Sequence, residues 1–325
     1  MFGKFMNNYY YGKSGKGDYR KDDLPRTRWQ LFWEMLRVRL AGLFRLNLLS
    51  AAAWIPAMYV LARLVSGLFN LAGLVSLVQQ DPAAVTPEQM EVYNNLTPLL
   101  NALVLRSLLW LIPCIALTGP VQAGMAYVTR NWARDEHAFV WSDFKDAVRD
   151  NWKQALGISL ITGFVPLVVY VSYQFYGQML GRSMVFVVPQ MLTVMLGLLW
   201  ALALVYYYPL LVTYRLGFIT LIKNGLLLAV GRLPHTVGVR LAMLVPAVIA
   251  ALVAWLMPSY MLYALMLLAA YYLMLGNALA RFVYASFSNA VFDRFINSRM
   301  EGVQVNRGLA TPEDEDDDVE EEPQG

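Results

Sequence analysis

Soft metal ligands are nearly missing from this chain: one cysteine, Cys114, and two histidines, His137 and His235, stand among its 325 residues. One cysteine cannot close an intramolecular disulfide, and scattered histidines do not make a zinc site. Charge is scarce too, at 15% of residues, where a soluble domain carries about 25%. No Gly-rich phosphate loop, zinc-ligand spacing or nucleophile elbow occurs. Acidic residues are absent from every long apolar run. With so little to perform chemistry, the sequence is expected to encode no enzyme, and it offers no catalytic, cofactor-binding or metal residue.

Apolar sequence is abundant instead. Hydrophobic residues make up 58% of the chain, and the mean hydropathy is +0.44. Uncharged runs extend over Leu46–Ala62, Ser107–Thr129, Gln154–Gly181, Ser183–Tyr214 and Leu241–Ala280. The last holds 40 residues, enough for two spans folded at Met257-Pro258-Ser259, since crossing a ~30 Å hydrocarbon core takes roughly 20. Runs of this length satisfy their backbone in lipid as helices. The expected fold is therefore all-α, a polytopic membrane bundle (46–300) of about six helices. Its spans fall near 46–66, 106–129, 154–178, 186–212, 238–257 and 259–281.

Lysine and arginine placement sets the topology. Ten lie in residues 1–45, none in Asp81–Thr97, five in Arg130–Lys153, four in Arg215–Arg240, none around Pro258 and four from Arg281 onward. That alternation follows the positive-inside rule and predicts cytoplasmic N- and C-termini in a bacterial plasma membrane. The same distribution accounts for the basic body without nucleic acid, leaving the lipid bilayer as the expected partner. Arg63 and Arg106 then fall at the outer ends of the first two spans, where they are expected to snorkel to the interface.

Outside the spans, residues 1–24 are polar and Gly-rich and are expected to be flexible, with no signal-peptide pattern. Residues 25–45 set Trp29, Phe32, Trp33, Leu36, Leu40 and Phe44 at helical spacing among five arginines, which predicts a basic amphipathic helix lying in the headgroup region. Leu64–Gln80 is read as a continuation of the first helix beyond the membrane. A short helix is expected within Arg215–Arg240, ended by Leu233-Pro234. The acidic stretch at 303–325 is expected to be a disordered tail.

One polar constellation stands out, the elbow running from Thr118 to Lys153. It holds Arg130, Arg134, Asp135, Glu136, His137, Asp143, Asp146 and Asp150. Asp135, Glu136 and His137 are consecutive, so they do not share a helix face as an acid/base or metal cluster would. Ser142 is placed to cap a helix whose first turn contains Asp143. Phe144, Val148 and Trp152 then form an apolar stripe leading into the third span.

At this elbow the chain resembles the YesL-like bacterial integral membrane proteins, the domain of unknown function 624 family. The resemblance rests on Gly119-Pro120, Ala123, Tyr127, Arg130, Arg134-Asp135-Glu136, Asp143-Phe144 and Asn151-Trp152-Lys153-Gln154. It extends to Leu46-Asn47-Leu48-Leu49 in the first span, to Tyr208-Pro209 and to Lys223-Asn224. Ala57 to about Arg106 looks like an insertion relative to that family. What the resemblance implies is a helical membrane protein associated with carbohydrate uptake and no assigned catalytic residues. Two functions follow as expectations. One is a non-enzymatic accessory or regulatory component whose elbow, 130–153, docks on a transporter or other membrane protein. The other is a permease-like transport subunit for a small solute such as a sugar, which a polar cavity within the bundle would favour.

Overall fold

The computed structural model describes residues 25–310, so the expectations for 1–24 and for 311–325 lie outside the described residues. Within them the chain is mostly helical, without strands, and six helices are long and apolar enough to cross a membrane. The bundle is a multi-pass membrane architecture, as composition predicts.

Helix α1 (Arg28–Gln80) is a single 53-residue helix, about 80 Å long at ~1.5 Å per residue. Its start is fixed by a capping box in which Thr27 and Gln30 bond reciprocally, satisfying two donors that a helix N-terminus leaves free. Two sequence expectations merge here. Residues 28–45 are not a separate helix but the first turns of α1, and Leu64–Gln80 continues the same rod. The amphipathic part packs on protein: Leu31, Met35 and Leu43 are buried with Trp132, Phe144 and Phe282. Trp29, Trp33, Leu40 and Phe44 face outward.

A short turn and α2 (Pro87–Asn94) return the chain to α3 (Leu96–Trp132), which leads through the elbow to α4 (Ser142–Met179). Then follow α5 (Val187–Thr213), the short α6 (Phe218–Gly231) and α7 (Leu233–Leu256). Helix α7 ends at the predicted Met257-Pro258 fold. Helix α8 (Met261–Tyr271) runs through a π-helical turn, Tyr272–Gly276, into α9 (Asn277–Phe295).

The α3/α4 hairpin is the tightest packing in the molecule, and small residues make it so. A Cβ on Gly119 would lie 2.4 Å from the Ala155 carbonyl oxygen, and one on Gly163 would lie 2.9 Å from the Ile112 Cα. Ser159 Oγ bonds across to the Ala116 carbonyl at 2.8 Å. Without a hydrophobic drive between helices in lipid, this backbone contact supplies the association. Helix α6 packs by the same device, Gly225 lying against the Tyr207 ring.

Candidate functional site

The elbow is the first place to look, and most of its charge is used internally. Arg134 is buried, and its Nε lies 3.9 Å from Glu136, which also accepts from Arg307 at 2.6 Å. Asp135 takes a left-handed backbone (φ 55°), a conformation Asp tolerates better than most residues. Its carboxyl is held above its ordinary pKa by partial loss of hydration, with Arg39 pulling the other way. Arg130 donates to Asn131, and its carbonyl accepts from Asn289. Residues 303–310, expected to be loose, fold back here. Gly308 (φ +79°) passes close to the Arg134 carbonyl, Leu309 joins the core, and Ala310 N–H bonds the Pro25 carbonyl at 3.2 Å.

Two further expectations are corrected at the elbow. Ser142 does not cap α4: Trp141 occupies the cap position, and the Asp143 carboxylate instead accepts from Phe139 N–H at 2.9 Å. Of the predicted apolar stripe, Phe144 and Val148 meet Gly124, but Trp152 is exposed and lies beside Lys153.

The structure gathers Tyr127, Asp143 and Asn151 around one shallow cleft of about 330 Å³, together with Asp146, Asp150 and Arg215. Gly119 and Pro120 are not in it; Gly119 belongs to the hairpin contact. Lys223 and Asn224 lie on α6, apart from the elbow cleft. Among the described residues no group of three or more His, Cys, Asp or Glu side chains is placed to hold a metal ion.

A second site was not singled out from sequence. Between α1, α3, α4, α5, α7 and α9 lies a cavity of about 300 Å³ lined by Thr118, Gln122, Ser159, Tyr208, Arg240 and Arg281, among others. No carboxylate lines it. Thr118 is about 18 Å along α3 from Arg130 at ~1.5 Å per residue, well inside the bundle. The Arg281 guanidinium donates through Nε to Gln122 and lies over the Tyr208 ring, 4.3 Å from its centroid. Arg240 donates to the Tyr284 hydroxyl at 2.8 Å.

Those contacts leave donors over. Arg281 Nη1 and Trp54 Nε1 are both buried without a hydrogen-bond partner, and both residues line this cavity. A buried donor left unpaired costs about 1–3 kcal/mol, more when charged. The residues lining the cavity thus carry unpaired N–H groups and positive charge, and none of them is a carboxylate.

Helix geometry around the cavity is set by Asn47, itself fully buried. Its Nδ2 donates to the Tyr272 and Leu273 carbonyls at 2.9 and 2.6 Å, and its Oδ1 accepts from Ala278 N–H at 2.9 Å. One amide side chain satisfies the backbone groups that the π-helical turn withdraws from regular pairing. Tyr272 and Asn277, at either end of that turn, line the cavity. Such π-turns occur frequently at functional sites.

The signal for this site lay in Arg240 and Arg281, which bound long uncharged runs and so look like ordinary interfacial charges. Only the tertiary contacts bring them to one cavity with Trp54. No curated protein and no solved structure matches the chain. The family match begins within the stretch expected to be an insertion, and it excludes Leu46–Leu49, Tyr208-Pro209 and Lys223-Asn224. Residues 99–173, nearly all of α3 with the elbow and most of α4, match the family model described as protein of unknown function, DUF624, and the chain is on that evidence consistent with a DUF624 family protein.

Proposed function

We propose that this is a non-enzymatic membrane protein that binds an anionic ligand inside its bundle, at the Arg240/Arg281 cavity. The observation that supports this is the pair of unpartnered buried donors, Arg281 Nη1 and Trp54 Nε1, in a cavity lined by two arginines and no acid. Ionisable residues within a membrane are costly and mark ligand or ion pathways. An oxyanion would satisfy both donors and the charge together. Transport of a small solute is thereby narrowed from a neutral sugar to an anion. Purified full-length protein in phosphatidylcholine nanodiscs, titrated with inorganic phosphate, tests the reading. Saturable thermal stabilisation that is lost in Arg281→Gln supports it; no saturable stabilisation of the wild type refutes it.

A docking role linked to carbohydrate uptake is the second reading. Phe139, Trp141 and Trp152 are exposed at the elbow, at 64%, 63% and 47%, beside exposed Lys145, Asp146, Arg149 and Asp150. Co-purification of a transporter component from native membranes, lost on Trp141→Ala with Arg149→Glu, would favour it. Retention of every partner by that variant would count against it. Both readings place the termini and elbow on the cytoplasmic face of a bacterial plasma membrane. Impermeant maleimide should label a cysteine placed at Ala84 in intact cells and spare one at Asp146; the reverse pattern would invert the topology.

A further inference from the structure

The cavity does not stand alone. It shares Trp54, Tyr272 and Asn277 with an apolar groove of about 850 Å³ that runs between α1 and α8, lined by Met58, Val65, Phe69, Leu265 and Met266 among others. The groove exists because α1 packs closely against the π-helical turn, where Asn47 pins it, and not appreciably against α8 beyond. The two helices therefore form a wedge whose narrow end is the cationic cavity. Along α1 the groove reaches from Trp54 to Phe69, about 22 Å at ~1.5 Å per residue. Its lining is almost wholly apolar, and Leu61, Phe69, Leu262 and Met266 are exposed along it. In a bilayer such a wedge is filled by hydrocarbon, because an unfilled gap forfeits its contacts.

We propose that the ligand is an anionic amphiphile, an alkyl phosphate in chemical class, with its head in the Arg240/Arg281 cavity and its chain in the α1/α8 wedge. This rests on the anion-binding reading and adds the chain. Charge and shape select the same occupant. The head meets Arg281, Arg240 and the Trp54 N–H, and the chain leaves past Tyr272 and Asn277 along the apolar side on which the cavity continues into the groove. A phosphate offers enough acceptor oxygens for several donors at once, and guanidinium recognises it with directed bonds.

The test uses full-length protein in phosphatidylcholine nanodiscs and three probes: dodecyl phosphate, inorganic phosphate and dodecanol. Affinity is read from the concentration dependence of thermal stabilisation. Dodecyl phosphate should bind about tenfold or more tightly than either of the others. Ala269→Trp, which places bulk in the wedge, should abolish that advantage and leave inorganic phosphate binding unchanged. Arg281→Gln should weaken both phosphates, and Arg281→Lys should restore part of the binding while keeping the fold. If inorganic phosphate binds as tightly as dodecyl phosphate and Ala269→Trp changes nothing, the amphiphile is overturned while the anion cavity stands. Equal binding of dodecyl phosphate and dodecanol, insensitive to Arg281→Gln, would mean a wedge filled by bulk lipid and would overturn the proposal. Failure of every probe to bind the wild type would remove both readings.

Discussion

Replacing Asn47 by leucine probes a fully buried polar side chain that ties α1 to the π-helical turn. Both side chains have four non-hydrogen atoms and branch at Cγ, so the change removes hydrogen bonds without opening a cavity. Three bonds are lost, two to the carbonyls of Tyr272 and Leu273 and one from the Ala278 N–H. Hydrogen bonds in membrane bundles average about 0.6 kcal/mol and those in soluble proteins about 1, while each buried group left unpaired costs about 1–3. Partial relaxation of the π-helical turn offsets some of this, so we expect a loss of about 3 kcal/mol. Reversible unfolding by SDS titration in mixed micelles measures it. Amide exchange supplies a local check, because Ala278 N–H bonds to Asn47 and should lose protection beyond the general decrease. Asn47→Asp keeps the acceptor and loses both donors, so at neutral pH it should be at least as damaging as the leucine. Wild-type stability in Asn47→Leu, with Ala278 protection unchanged, would show that the turn does not depend on this side chain and would refute the reasoning.

Other perturbations test other parts of the bundle. Gly119→Ala would press a methyl against the Ala155 carbonyl and should cost about 2 kcal/mol by forcing α3 and α4 apart; Gly73→Ala meets nothing within 4 Å and should be neutral or stabilising by a few tenths in the same unfolding assay. Asp293 is buried, pairs with Arg28, and accepts from Asn297 Nδ2 at 2.5 Å and Asn306 N–H at 3.1 Å. Asp293→Ala should cost about 2–4 kcal/mol and speed proteolysis of residues 300–310. At Asp135 the left-handed backbone should accept Asn or Gly with little change, whereas Asp135→Val should lose about 1–2 kcal/mol by the same SDS titration.

Six spans, the break at Met257-Pro258 and the continuation of the first helix to Gln80 were legible in the sequence because each is a statement about one segment. Length, hydropathy and the gaps between charges decide such things locally. The packing of residues 28–45 was not legible. An amphipathic helix facing a membrane surface and one facing a protein bundle present the same periodicity, and only Trp132 and Phe282 on distant helices distinguish them. Ser142 failed as a cap because helical bonding starts earlier, at the Phe139 and Trp141 carbonyls, which leaves Ser142 inside the first turn with its hydroxyl donating to Asp143. The cavity lay outside sequence reasoning altogether, since Trp54, Gln122, Arg240 and Arg281 are far apart in the chain and each has an ordinary explanation alone. Gly119 and Asn47 fall between these cases. Both belong to the family resemblance, and the helix contact and the π-helical turn give each a physical reason.

The bond between Ala310 N–H and the Pro25 carbonyl has a consequence for whatever is attached beyond it. Residues 1–24 and 311–325 depart from adjacent points on the bundle. By sequence the first carries five basic and three acidic residues, the second nine acidic and no basic ones. Pro25 and Ala310 are thus held a few ångströms apart, so anything fused beyond both ends is brought together at an effective concentration fixed by that anchor, not by expression level. A reporter split between the two ends should therefore reassemble within a single molecule.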